Sequence, residues 1–127
     1  MILGRNNLRF RGGAVLSIIA ALFASQPAES HAVLKETSPV ANSTVAGPDV
    51  PIQLKFNTRI DATRSKLQLL LPDNTTAPLA VDKQASPDTL SSKASGLKPG
   101  AYKIQWQVLA ADGHITRGEI PFKVAGS

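Results

Sequence analysis

The sequence predicts an all-β domain: a small antiparallel sandwich or barrel with about seven strands. Three observations predict it. Apolar residues alternate with polar ones over most of the chain, with little helical periodicity. The alternating segments are short and separated by Pro, Gly, Asn and Asp turns. They occupy about 100 residues, the size that favours an immunoglobulin-like sandwich with Greek-key connections.

The first thirty residues stand outside this pattern and have the three parts of a secretion signal. Arg5, Arg9 and Arg11 form a basic segment, and Ala14 to Ala24 is an uncharged, mainly apolar run of eleven. Ser25 to Ser30 is a short polar segment in which Pro27 stops any continuing helix. The apolar run falls well short of the ~20 residues that span a bilayer, which favours cleavage over a membrane anchor. Ala28 and Ser30 place small residues at the third and first positions before a cut, so cleavage is expected between Ser30 and His31. The mature domain then runs from residue 31 to 127.

Strands are expected over Ile52–Phe56, Lys66–Leu71, Ala77–Val81, Tyr102–Val108 and Ile120–Val124, with a weaker one over Thr89–Ala94. Tyr102, Ile104, Trp106 and Val108 occupy every second position and so share one buried face. Pro72-Asp73-Asn74-Thr75 and Leu97-Lys98-Pro99-Gly100 read as turns. Pro121 lacks an amide donor, which places its strand at an edge or its ring at a non-bonded position.

Ninety-seven residues form one domain with one core and leave no room for a second. The chain has no cysteine, so the fold rests on packing without disulfides. The mature segment carries eleven basic and eight acidic residues, scattered without a basic run, which gives little support to nucleic-acid binding.

Only two histidines occur, His31 and His114. After the expected cut, His31 carries a free α-amine. That amine and the ring Nδ1 of the same residue can close a six-membered chelate on one metal ion. His114 lies in Asp112-Gly113-His114, where a carboxylate and an imidazole two residues apart in extended backbone project to the same side. Asp and Gly are also ordinary turn residues, so the bland alternative is a hairpin loop whose histidine faces water. Together His31, Asp112 and His114 supply nitrogen-rich donors that suit a single Cu(II), although Zn(II) can use the same ligands. The mature chain lacks both Cys and Met, so it has no sulfur site for Cu(I). Trp106 reads chiefly as core, with a lesser reading as a residue beside the metal. Thr116, Arg117 and Glu119 read as solvated strand residues, with the alternative that they orient His114.

These features resemble the periplasmic copper-resistance CopC family. The resemblance rests on His31-Ala32-Val33-Leu34, Ser38-Pro39, Leu54-Lys55-Phe56 and the block from Pro99 to Val124, PGAYKIQWQVLAADGHITRGEIPFKV. It covers essentially the whole mature chain. It implies a Greek-key β-fold holding Cu(II) on the His31 amine and imidazole, His114 and Asp112, and an inner-membrane partner of the CopD type. Two departures separate this chain from some members. Position 33 is Val where those members place a second early histidine, and Leu70 to Ala80 contains no Met or His where those members carry a Met-rich loop. The expected function is therefore a Cu(II)-only periplasmic carrier or sequestering protein for copper homeostasis. The alternatives are a copper-dependent oxidative enzyme of the N-terminal-histidine type and a metal-free immunoglobulin-like module.

Overall fold

Eight strands form in chain order: β1 (Leu34–Ser38), β2 (Thr44–Val45), β3 (Val50–Phe56), β4 (Ile60–Leu70), β5 (Thr76–Leu79), β6 (Thr89–Ala94), β7 (Gly100–Ala110) and β8 (Ile115–Val124). The computed structural model describes residues 31–126; the secretion signal expected over residues 1–30 lies outside them. The strands make two sheets, one ordered β1-β3-β6 and the other β2-β8-β7-β4-β5. The chain changes sheet at β1–β2, β2–β3, β3–β4, β5–β6 and β6–β7, which gives the sandwich expected from the turn spacing. All pairs are antiparallel except β2 with β8, where Thr44 and Val45 run parallel to Lys123 and Val124.

The core is where the alternation places it. Val50, Ile52, Leu54 and Phe56 of β3 face Tyr102, Ile104, Trp106 and Val108 of β7 and Ile120, Phe122 and Val124 of β8, all buried. The aromatic side chains interlock in pairs. Phe56 meets Trp106 edge-on at 5.3 Å, and Tyr102 stacks on Phe122 at 5.6 Å. The Tyr102 hydroxyl donates to the Lys98 carbonyl at 2.6 Å, which fixes the turn into β7. Pro121 accepts a bond at its carbonyl from the Asn42 amide, on the side away from β7. Its missing N–H therefore costs no β7–β8 ladder bond.

Four differences from the sequence expectation have physical causes. β1 and β2 were not expected; β1 is a mostly exposed edge strand (LKETS) and β2 has two residues, so neither shows strong alternation. β8 begins at Ile115, five residues before its expected start. Its first half, ITRGE, contains Gly118 and no apolar rhythm, and it is held in place by pairing with β7. β5 spans Thr76–Leu79 instead of Ala77–Val81, paired with β4 from Leu70↔Thr76 to Leu67↔Leu79. β4 begins at Ile60 rather than Lys66, because a bulge interrupts it between Asp61 and Lys66.

The bulge is a closed hydrogen-bonded unit. Asp61 Oδ1 accepts from the Thr63 amide at 3.0 Å and the Thr63 hydroxyl at 2.7 Å. The Ser65 hydroxyl donates to the Asp61 carbonyl at 2.6 Å and accepts from the Leu109 amide at 3.2 Å. Ser65 thus replaces the ladder bond that β7 would lose just before its terminal loop, and buried backbone groups need such partners.

Candidate metal centre

The β7–β8 hairpin carries two of the three expected ligands. Its loop is closed by the Ala110 amide donating to the His114 carbonyl at 2.9 Å and the Gly113 amide donating to the Ala110 carbonyl at 3.0 Å. Gly113 sits at φ +85°, the left-handed position that such three-residue hairpin loops require. The loop composition that suggested an ordinary turn therefore does form one, and the turn sets the ligand geometry.

Asp112 divides its two oxygens. Oδ1 accepts from the His114 backbone amide at 3.0 Å, which fixes the carboxylate. Oδ2 is left facing two imidazoles, His31 Nδ1 at 2.7 Å and His114 Nδ1 at 3.1 Å. The two Nδ1 atoms are 3.3 Å apart. The His114 amide bond holds the Asp112 carboxyl below its ordinary value of 3.8; desolvation opposes this, and the two imidazoles add to the lowering. The carboxylate is therefore an anionic donor at neutral pH. With side-chain exposures of 46% for His31 and 68% for His114, both rings stay open to solvent and to incoming metal, whereas Asp112 is at 17%.

His31 reaches the loop from 83 residues earlier in the sequence. Ala32, buried in the core, and the β1–β3 pairing bring it there. The ring atom that faces Asp112 is Nδ1, the same nitrogen that can chelate together with the residue's own α-nitrogen.

The donor separations fit a single metal ion. With bonds of about 2.0 Å, neighbouring donors in tetragonal and tetrahedral sites lie about 2.8 and 3.3 Å apart. The three separations here are 2.7, 3.1 and 3.3 Å. Among the described residues, His31, Asp112 and His114 are the one group of three such side chains able to hold a metal.

The other residues singled out by sequence take structural roles. Trp106 is core: its indole lies over Gly118 and against Phe56, and its Nε1 is buried without a partner. Arg117 donates to Gln107 at 2.8 Å, and Glu119 accepts from Gln105 at 2.8 Å. These are contacts across the sheet face, and neither side chain bonds to His114. Thr116 is half-buried opposite Val108. Two residues near the site went unnoticed in the sequence: Ser65, and Asn57, whose side chain accepts from the Val33 amide at 2.8 Å. Only their strand-end and turn context hinted at them.

The CopC domain model matches residues 34–125. The chain belongs to the CopC family. It is 30% identical over 112 residues to Protein YobA of Escherichia coli K12, covering 86% of this chain and 90% of that protein. Copper resistance protein C of Xanthomonas campestris pv. juglandis is likewise 30% identical over 115 residues, covering 84% of this chain and 90% of that one. Among solved structures, CopC from Methylosinus trichosporium OB3b superposes with a TM-score of 0.71 at 29% identity, over 76% of this chain and 95% of that one. PcoC, a methionine-rich copper resistance protein from Escherichia coli, gives a TM-score of 0.63 at 28% identity over 75% and 99%. In contrast, the present chain has one methionine, Met1.

Proposed function

We propose that this CopC-family protein is a periplasmic Cu(II) carrier that begins at His31 once its secretion signal is removed. Copper, as cargo, is held by the His31 α-amine and Nδ1, His114 and Asp112, one ion per chain. The observation that carries this reading is the convergence of His31 Nδ1, Asp112 Oδ2 and His114 Nδ1 to within 3.3 Å. Three nitrogens and one carboxylate favour Cu(II) over Zn(II), because Cu(II) leads the divalent affinity order and tolerates tetragonal nitrogen sites. The names of its copper-resistance relatives support the same cargo and a role in copper homeostasis.

Copper is carried rather than used for catalysis. An oxidative enzyme acting on a polymer needs aromatics displayed around the metal, and here Tyr102 and Trp106 are 4% and 8% exposed in the core. The exposed imidazoles instead suit hand-over to a second protein, and the family resemblance supports an inner-membrane partner of the CopD type in that role. The test is Cu(II) titration of the protein starting at His31, with electron paramagnetic resonance to count coordinated nitrogens. One equivalent with nitrogen coupling is expected. A spectrum without nitrogen coordination contradicts the assignment.

A further inference from the structure

We infer that Asn57 is a positioning residue for the copper site: its side chain pins the segment behind His31 so that the terminal donors meet Asp112 and His114. This rests on the Cu(II) reading above and extends it to a residue that touches no metal.

Asn57 follows β3 directly and grips Val33 at both polar groups. The Val33 backbone amide donates to the side-chain Oδ1 of Asn57 at 2.8 Å, and the Asn57 backbone amide donates to the Val33 carbonyl at 3.0 Å, so the side chain supplies one of the two bonds. The ladder behind this grip is irregular. β1 pairs with β3 at Leu34↔Phe56, and the register then shifts before Glu36↔Lys55. A bulged ladder leaves groups unpaired and holds a strand end poorly. Val33 itself offers no packing anchor, since the residue is 56% exposed. Hydrogen bonding by Asn57 and the buried methyl of Ala32 therefore hold the tether. From Val33 the chain reaches at most about 7 Å to His31, because each residue spans at most ~3.3–3.6 Å. Fixing Val33 fixes where the His31 donors fall. The ordering is made before metal arrives, which lowers the cost of binding.

The experiment compares the protein starting at His31 with Asn57→Ala and Asn57→Asp, the latter keeping an acceptor oxygen. The readouts are Val33 amide hydrogen exchange in the metal-free protein, the Cu(II) release rate, and the paramagnetic resonance spectrum. Asn57→Ala is expected to speed Val33 exchange and to raise Cu(II) release about three- to tenfold, the range a single hydrogen bond supplies. It should also broaden the spectrum, and Asn57→Asp should restore all three. If Asn57→Ala does not fold, Val33→Pro, which removes the donor and leaves Asn57 intact, is read by the Cu(II) release rate and the spectrum alone. The same release, about three- to tenfold faster, is then expected, and release within twofold of the parent overturns the inference. Faster exchange with copper release within twofold of the parent makes Asn57 merely structural and overturns the inference. Unchanged Val33 exchange overturns it as well. Failure of the parent protein to bind Cu(II) through His31 is a separate result that removes the underlying site.

Discussion

Replacing Gly118 with alanine tests how tightly the strand that leaves the candidate metal loop is held. A Cβ built at Gly118 lies 2.4 Å from Trp106 Cζ2, 2.6 Å from Cε2 and 2.9 Å from Nε1. Carbon atoms in ordinary contact sit about 3.5–4.0 Å apart, so the methyl overlaps the indole by about an ångström. The ring cannot retreat freely. Trp106 is 8% exposed and meets Phe56 edge-on at 5.3 Å, and Phe56 is itself 1% exposed. Overpacking of this kind costs about 1–3 kcal/mol. In a domain of this size, each kcal/mol lowers Tm by about 4–8 °C. Thermal and urea unfolding followed by circular dichroism measure both quantities. Trp106→Leu removes all three contacted atoms, so Gly118→Ala should cost at least ~0.5 kcal/mol less in that background, a coupling typical of residues in contact. If Gly118→Ala melts within about 2 °C of the parent and the cycle shows no coupling, the indole does not lie on Gly118.

Other perturbations address the loop and its ligands. Gly113→Ala has open space around the new methyl, so its cost of about 1–2 kcal/mol arises from φ +85° alone; urea unfolding should show Gly113→Asn to be milder, because Asn tolerates that region. His114→Ala removes a donor outright and should weaken Cu(II) binding by more than the ~100-fold upper range seen for loss of supporting partners, measured by competition with a chelator. Acidification should release copper with uptake of more than one proton, because imidazole and amine donors bind metal only when deprotonated. A pH titration of bound copper checks this. For the metal-free protein, Asp61, Asp73 and Asp112 all titrate below 3.8 when folded. Their contribution to stability is present above that value and is lost as pH falls through the lowered ones, so urea midpoints should drop in strong acid.

The strands that build the core were legible because burial on one face forces a period of two. Val50 to Phe56 and Gly100 to Ala110 alternate almost without fault, and Thr89–Ala94 lies where its weaker pattern placed it. What escaped notice is held by pairing rather than by burial. The first half of β8 has no apolar rhythm, and its Gly118 is explained only by the indole of Trp106 on the opposite strand. The early start of β4 depends on Asp61 and Ser65 closing a bulge, and the bond that ties this bulge to β7, from the Leu109 amide to Ser65, comes from 44 residues away. The candidate site divides in the same way. Asp112 and His114 were readable from their spacing, and His31 from its place beside a cleavage pattern, since donor chemistry is written in residue type. Asn57 was not readable, because its partner is a backbone amide 24 residues away.

In the proposed site the α-amine of His31 completes the Cu(II) coordination begun by Asp112 and His114. Adding one residue before His31 converts that amine into a peptide nitrogen and leaves every side chain in place. Cu(II) affinities of the chain starting at His31 and of its one-residue extension, measured side by side by competition, test the claim most directly. Extension should bring a large loss of affinity and a change in nitrogen coordination. Equal affinity in the two forms contradicts the role of the amine.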